Sequence, residues 1–318
     1  MHRRTFMGVL GAGALAASGV AHAQTPTTRI VVGATPGGGT DTVARVLAAE
    51  LGRVMGETFV VENRPGAGGN IAAQEVARAT PDGRTLLMCY TSHAINATLY
   101  PKLPFDPIKS FTPVVHVANA PSILLAHPSV KANNMAELIA LAKAEPGQLS
   151  MGLPGIGSAG HLGAEVIMLE TGIDVLLVPY KGTAPAMTDV LGGQVSMMFA
   201  GAALAKGQLK SKALKPLGIS SAQRMSVYPD IAPIADTIPG YDFSAWYGLL
   251  GPAGMDAGRT KKLSEATTQV LNDAKIKGQL LEEGLLVEGG APAEFQRFLQ
   301  TEIERWGTVV KASGAQAG

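Results

Sequence analysis

Apolar positions along the chain alternate between short β-branched runs and longer stretches that repeat every three to four residues. Residues 29–33 (RIVVG) form the first run and lead into Pro36-Gly37-Gly38-Gly39. Behind them Thr40 or Asp41 can cap a helix with Val43, Val46, Leu47, Leu51 and Val54 on one face. Residues 58–61 predict the next strand, closed by Asn63-Arg64-Pro65-Gly66-Ala67-Gly68-Gly69. A helix over 71–79 and a strand over 85–90 follow. The rhythm returns with a strand over 122–126, a helix over 135–143, a strand over 149–152 and a helix near 161–169. Strands over 175–180, 195–200 and 214–219 and a short helix over 185–191 come next. Residues 243–250 are apolar and strand-like, and two helices and a long terminal one remain. The last starts at Pro292 and sets Phe295, Phe298, Leu299, Ile303, Trp306 and Val310 on one face. Strand-then-helix alternation predicts an α/β fold of mainly parallel sheet covered on both faces. Neither a short repeat nor a low-complexity linker interrupts it, so the expectation is two Rossmann-like lobes. Residues 24–121 plus 236–318 would form the first lobe and 122–235 the second.

Composition agrees with a packed protein and removes several classes of function. The 318 residues are 46% hydrophobic and 16% charged, with 26 basic and 25 acidic side chains. A formal charge of +1 gives no field that would steer a polyanion, so nucleic acid is not an expected partner. Cys89 is the single cysteine, which excludes an internal disulfide and any multi-cysteine metal site. Its apolar strand context predicts a buried, inert thiol, and Met197 and Met198 read as core filler. Residues 1–23 read as an export leader: Arg3 and Arg4, a small-sided apolar stretch, then Ala21-His22-Ala23 as a cleavage pattern. Arg3-Arg4-Thr5-Phe6 is similar to a twin-arginine signal, but Met7-Gly8 departs from its tail and leaves the Sec route open. The mature chain would begin near Gln24 in the periplasm, with acidic residues one ahead of basic ones.

Three glycine-rich loops, at 36–41, 65–70 and 155–160, each join a strand end to a helix start and carry Thr40, Asn70 or Ser158. Glycine lets backbone N–H groups approach a ligand, and the first helical turn offers unpaired donors and partial positive charge. Such junctions suit carboxylates and phosphates, and they lie at the strand ends where open α/β sheets bind ligands. Gly155-x-Gly157-x-x-Gly160 also matches a dinucleotide fingerprint, but no acidic residue ends the following strand, because Asp174 precedes it. Ser158 lacks the first glycine of G-x-S-x-G, and His161 three residues later signals no strained elbow, which leaves an exported hydrolase as the weaker alternative. The histidines lack a metal-binding spacing, and no metal or cofactor is implied.

Six segments, in this order along the chain, resemble the Bug-type solute receptors, the extracytoplasmic binding proteins of tripartite tricarboxylate transport systems. They are Pro36-Gly37-Gly38-Gly39-Thr40-Asp41, the run VENRPGAGGN over 61–70, Leu103-Pro104-Phe105-Asp106-Pro107, Gly157-Ser158-Ala159-Gly160-His161-Leu162, the run PYKGTAPA over 179–186, and Trp246-Tyr247-Gly248. The resemblance spans the whole mature chain. It implies a type II periplasmic binding protein architecture in which two lobes close on a small carboxylate, acting as a monomer that serves a membrane permease. By position, Gly38, Gly39 and Thr40 would touch ligand from the first lobe, with Ser92 and Asn96 near the cleft mouth. Ser158, Gly160 and His161 would line the second lobe, with Lys181, Gly182 and Thr183 on the adjoining loop. Asp41 would bind a ligand amine or water, or only cap its helix.

The sequence departs from the family pattern at three places. Ala34 stands where an aromatic is frequent, Gly33 where a proline is frequent, and Ala200 where an acidic residue often follows the strand phenylalanine. A cleft of different width is expected there, and mono-, di- and tricarboxylates, amino acids and aromatic acids all stay open as ligands, the last disfavoured by an aromatic content of 5%. A receptor that reports ligand to a membrane sensor instead of a permease reads the same way in sequence.

Overall fold

A computed structural model describes residues 27–316, and the expected leader lies outside the described residues. The chain builds two sheets. The first has the order β11-β4-β10-β3-β1-β2 and the second β7-β6-β8-β5-β9. In the first, β1 (Thr27–Val32) pairs in parallel with β2 (Thr58–Asn63) and β3 (Thr85–Tyr90). β10 (Ala245–Pro252) runs antiparallel between β3 and β4 (Phe111–Ala120), and β11 (Leu286–Gly289) closes the edge. In the second, β6 (Ser150–Leu153) pairs in parallel with β7 (Leu176–Pro179) and β8 (Met197–Gly201). β5 (Ser122–Ala126) runs antiparallel between β8 and β9 (Lys215–Ile219).

The expectation of mainly parallel sheets is therefore corrected to mixed ones, and the reason is topological. β5 and β10 are the strands by which the chain enters each sheet from the other. Each is inserted in reverse beside the third strand, so only one half of each sheet is parallel. β1, Cys89 and both Met197 and Met198 are core, as the apolar runs required.

Ten helices cover the described sheets. They are α1 (Gly39–Met55), α2 (Asn70–Ala77), α3 (Ser92–Leu99), α4 (Met135–Ala144), α5 (Ala159–Thr171), α6 (Thr183–Leu191), α7 (Ala202–Lys210), α8 (Ala257–Asn272), α9 (Ala274–Glu282) and α10 (Pro292–Ser313). α1 buries Val43, Leu47 and Leu51, the stripe its periodicity predicted. α3, α7, β4 and β11 have no counterpart in the sequence reading. α3 carries His93 and Asn96 among its buried residues, and β4 contains Pro113 and His116, so neither shows a clean apolar period.

The two crossings between sheets lie side by side. The Ser122 N–H donates to the Ser220 hydroxyl at 2.9 Å, and the Ser220 N–H donates to the Ser122 carbonyl at 2.8 Å. The Phe243 N–H of the return crossing donates to the Ser220 carbonyl at 3.1 Å. α10 packs over this hinge. Its Glu302, only 4% exposed, accepts 2.8 Å hydrogen bonds from the indole N–H of both Trp246 and Trp306. Burial pushes the Glu302 carboxyl upward, and Arg305 and the two indoles oppose that push. Away from the hinge, Arg259 of α8 grips Glu57 with two 2.7 Å hydrogen bonds and ties α8 to the start of β2.

Two stability tests follow from these contacts. Glu302→Ala strands two indole donors, at a cost of roughly 2–5 kcal/mol, and calorimetry should show a lower thermal midpoint. Glu302→Gln, which keeps an acceptor oxygen, should lose less. Arg259 holds the Glu57 carboxyl below its ordinary 4.5, so this pair stabilises the fold above that pH. The contribution disappears as pH falls through the lower folded-state value. Denaturant melts of wild type and Arg259→Ala should therefore differ at pH 7 and converge in acid once the Glu57 carboxyl is protonated in the folded state.

Candidate functional site

The carboxyl ends of β1, β2 and β3 and the amino end of β10 share one edge of the first sheet. There the loops 33–39 and 64–69 meet backbone to backbone. A Cβ on Gly33 would stand 2.6 Å from the Gly69 Cα, which accounts for glycine at this position. Asp41 holds the first loop. Its carboxylate accepts 2.9 Å hydrogen bonds from the Gly37 N–H, the Arg45 Nε and the Asn63 side-chain amide. Burial alone would raise its pKa, but Arg45, Gly37 and Asn63 together hold it below the usual carboxylate range. Asn96 holds the second loop by donating to the Gly68 carbonyl at 3.0 Å and to the Asn70 side-chain oxygen at 2.9 Å. Both side chains are buried and occupied inside the first lobe, so they shape the rim from behind.

Gly37, Gly38 and Gly39 are exposed at the start of α1, and Thr40 is buried. The Tyr247 hydroxyl of β10 stands 2.6 Å from where a Cβ on Gly39 would be, at the start of α1. Burial pushes the phenols of Tyr247 and Tyr90 up to about 12, so both are neutral donors at physiological pH. The Tyr90 hydroxyl donates to the Gly33 carbonyl at 3.3 Å. Neither tyrosine was singled out as a site residue from sequence. Tyr247 was quoted within a motif, but its place beside the start of α1 depends on β10, which arrives some two hundred residues later.

On the second sheet, the ends of β6, β7 and β8 turn toward the first lobe. The Ser158 hydroxyl caps α5 by accepting from the His161 N–H at 3.1 Å, which leaves its own proton free. The side chain of His161, a residue expected to line the second lobe, turns to its own loop and helix. The ring is buried; Nδ1 accepts from the Gly157 N–H at 3.2 Å, and Nε2 lies 3.4 Å from the Glu165 carboxylate. Burial lowers the His161 pKa, so the ring is neutral and closes the loop onto its own helix. The Ser158–His161 contact is thus hydroxyl to backbone and not hydroxyl to imidazole. The Gly182 N–H donates to the Pro154 carbonyl at 3.0 Å, which draws loop 181–183 against loop 154–160; Lys181 is exposed. Gly160 lies in the first turn of α5, with Phe199 and Pro154 against its vacant Cβ position.

The lobes touch at α3. The Ser92 hydroxyl donates to the Gly157 carbonyl at 3.5 Å, and Leu99 packs where a Cβ on Gly157 would stand, 2.4 Å away. Gly157 has a φ of 74°, so its backbone and its contact both favour glycine.

The helix starts divide into two groups. α1, α2, α3, α5, α6 and α7 each begin just after the carboxyl end of a strand. Among them α1, α2, α6 and α7 have the glycine caps Gly38, Gly69, Gly182 and Gly201 with no side-chain hydrogen bond, and Thr91 of α3 makes none either. Only α5 is capped, by Ser158. α4, α8 and α9 begin elsewhere and are capped by Asn134, Asp256 and Asp273, while Glu294 accepts from the Ala291 N–H at α10. The inner rim therefore leaves first-turn N–H groups without side-chain partners where the outer helices satisfy theirs. A separate cavity of about 500 Å³ lies at the hinge, lined by Trp246, Phe298, Glu302, Arg305, Arg224 and Ser221 among others. None of the residues selected from sequence lines it.

Comparison with known proteins agrees with this geometry. The family model of the tripartite tricarboxylate transporter family receptor matches residues 43–315. Protein BugT of Bordetella pertussis is 32% identical over 291 residues, which cover 91% of this chain and 89% of BugT. The structure of R. palustris Rpa4515 with adipate is 34% identical, with a TM-score of 0.84 over 91% of this chain and 98% of that one. MatC (Rpa3494) from Rhodopseudomonas palustris with bound malate is 33% identical, with a TM-score of 0.78 over 89% and 98%. The fold is accordingly the two-lobed architecture of periplasmic binding proteins, with a ligand cleft between the lobes. The chain belongs to the solute-binding receptors of the tripartite tricarboxylate transporter family.

Proposed function

We propose that the protein captures a small carboxylate of the adipate or malate kind in the periplasm and delivers it to a membrane permease. The observation that carries this reading is the contrast in capping. First-turn N–H groups of α1, α6 and α7 lack side-chain acceptors, and an anionic oxygen between the lobes would satisfy them. Gly38, Gly39 and Thr40 act from residues 24–121 plus 236–318, assigned as the first lobe. Ser92, Ser158, Gly160, Lys181, Gly182 and Thr183 complete the contact set, the last five from 122–235 as the second lobe. Asp41, Asn96 and His161 act by holding the loops in place.

Charge-assisted hydrogen bonds in a cleft contribute about 1.5–3 kcal/mol each. Two to four of them give micromolar affinity after the entropy of association is subtracted. Contacts to both lobes favour the closed form, a population shift driven by differential affinity that a permease can read. The apolar stretch and Ala21-His22-Ala23 of residues 1–23 support export, and no helix among the described residues is long and apolar enough to cross a membrane.

A thermal-shift screen of C4–C6 dicarboxylates on the purified protein tests the reading, because ligand stabilises the fold in proportion to ln(1 + [L]/Kd). At least one acid should raise the midpoint in a concentration-dependent way, and no response from any of them sinks the assignment. Ser158→Ala removes one donor and should weaken that acid roughly ten-fold. Circular dichroism should show the variant folded. Unchanged affinity in calorimetry would remove Ser158 from the site.

A further inference from the structure

Two glycines of positive φ lie where the lobes touch, and each leaves room for a side chain of the opposite lobe. On one flank Gly157, with a φ of 74°, precedes α5, and a Cβ there would overlap the Leu99 Cδ2 of α3. On the other, Gly284, with a φ of 76°, follows α9, and a Cβ there would overlap the Ala202 Cβ in the first turn of α7. The arrangement is reciprocal, with the second lobe providing the glycine on the first flank and the first lobe providing it on the other. A glycine of positive φ is common just past a helix for the sake of the backbone alone. Gly172 ends α5 in that way with a φ of 68°, but nothing stands within 4 Å of its Cβ position. Close approach of the opposite lobe is therefore a separate demand at Gly157 and Gly284.

Hydrogen bonds hold both contacts in place. The Tyr228 hydroxyl donates to the Ala202 carbonyl at 2.9 Å and fixes the first turn of α7. The Gly157 carbonyl accepts from the Ser92 hydroxyl at 3.5 Å, and its N–H donates to the His161 ring at 3.2 Å. The two seats differ in stiffness. Leu99 can turn its terminal methyl aside, whereas Ala202 has no side-chain torsion by which to move its Cβ. Each seat also adjoins a helix start of the second lobe, Gly157 beside the cap Ser158 and Ala202 beside the cap Gly201.

We propose that Gly157 and Gly284 are positioning residues for the ligand, whose missing side chains let the starts of α5 and α7 come up against the first lobe. The distance over which an acid is gripped from both sides is set there. This rests on the carboxylate reading above, and neither glycine touches the acid. A methyl group at either seat overfills the contact, and the free protein relieves the overlap by opening. Ligand contacts from both lobes must then form against that wedge, so affinity falls for every acid alike.

Calorimetry with succinate, malate and adipate tests this, with Gly172→Ala as the control for backbone strain alone. Gly284→Ala should weaken each acid that binds roughly ten-fold. Gly157→Ala should weaken them less, and Gly172→Ala should bind as wild type does. All three variants should melt at similar temperatures, because they share the strain of alanine at positive φ. Ala202→Gly added to Gly284→Ala returns the space from the other side and should recover most of the affinity, which a general loss of packing would not do. Wild-type affinity in Gly284→Ala, or no recovery in the double variant, overturns the proposal while wild-type binding leaves the carboxylate reading intact. Should Gly284→Ala not fold, the same comparison with Gly157→Ala, and Leu99→Val as its rescue, decides in its place. A wild type that binds none of the three acids removes that reading, and this one with it.

Discussion

The unpaired N–H groups of a helix's first turn are the constraint on which this molecule is organised. A helix of any sequence leaves these donors without intrahelical acceptors, and they are satisfied by a side chain, by water or by a ligand. Here Asn134, Asp256, Asp273 and Glu294 satisfy them at helices that begin away from the inner rim. Glycine stands at the equivalent position of α1, α2, α6 and α7, so no cap side chain meets the donors there. The sheets concentrate these starts because β1, β2 and β3 in one lobe and β6, β7 and β8 in the other run in parallel. β5 and β10 are inserted in reverse beside β8 and β3, and carry the chain from one sheet into the other.

Much of this was legible in the sequence. The α1 stripe, the three glycine loops and the alternation of strand and helix follow from spacing alone, because each is a local property of a short segment. The motif order placed the chain in its family, which the comparisons bear out. What escaped was carried by residues whose chemistry is decided far away. His161, Asp41 and Asn96 have the residue types of ligand contacts, yet His161 and Asp41 bond within their own loops and Asn96 reaches from α3 to brace the loop before α2. No local pattern distinguishes a polar side chain that faces a cleft from one that braces a loop. The same holds for α3, whose buried His93 donates its Nε2–H to the Pro107 carbonyl, 2.9 Å away, and erases the apolar period.

Glycine content has a double origin here. At Gly38 and Gly182 it frees backbone donors, but at Gly33 it allows two loops to meet without a side chain between them. Any side chain at Gly33 would place a Cβ against Gly69, and the Tyr90 hydroxyl reaches the Gly33 carbonyl at the same junction.

The hinge offers a different consequence. The chain contains only two tryptophans, and both indoles donate to the same carboxylate oxygen of Glu302 beneath the paired crossings. Indole emission from this protein therefore originates wholly at the pivot between the lobes, beside the stacked guanidinium of Arg305, 5.3 Å from the Trp306 ring. Rotation of one lobe against the other alters that environment directly, so the molecule contains its own optical gauge of lobe movement.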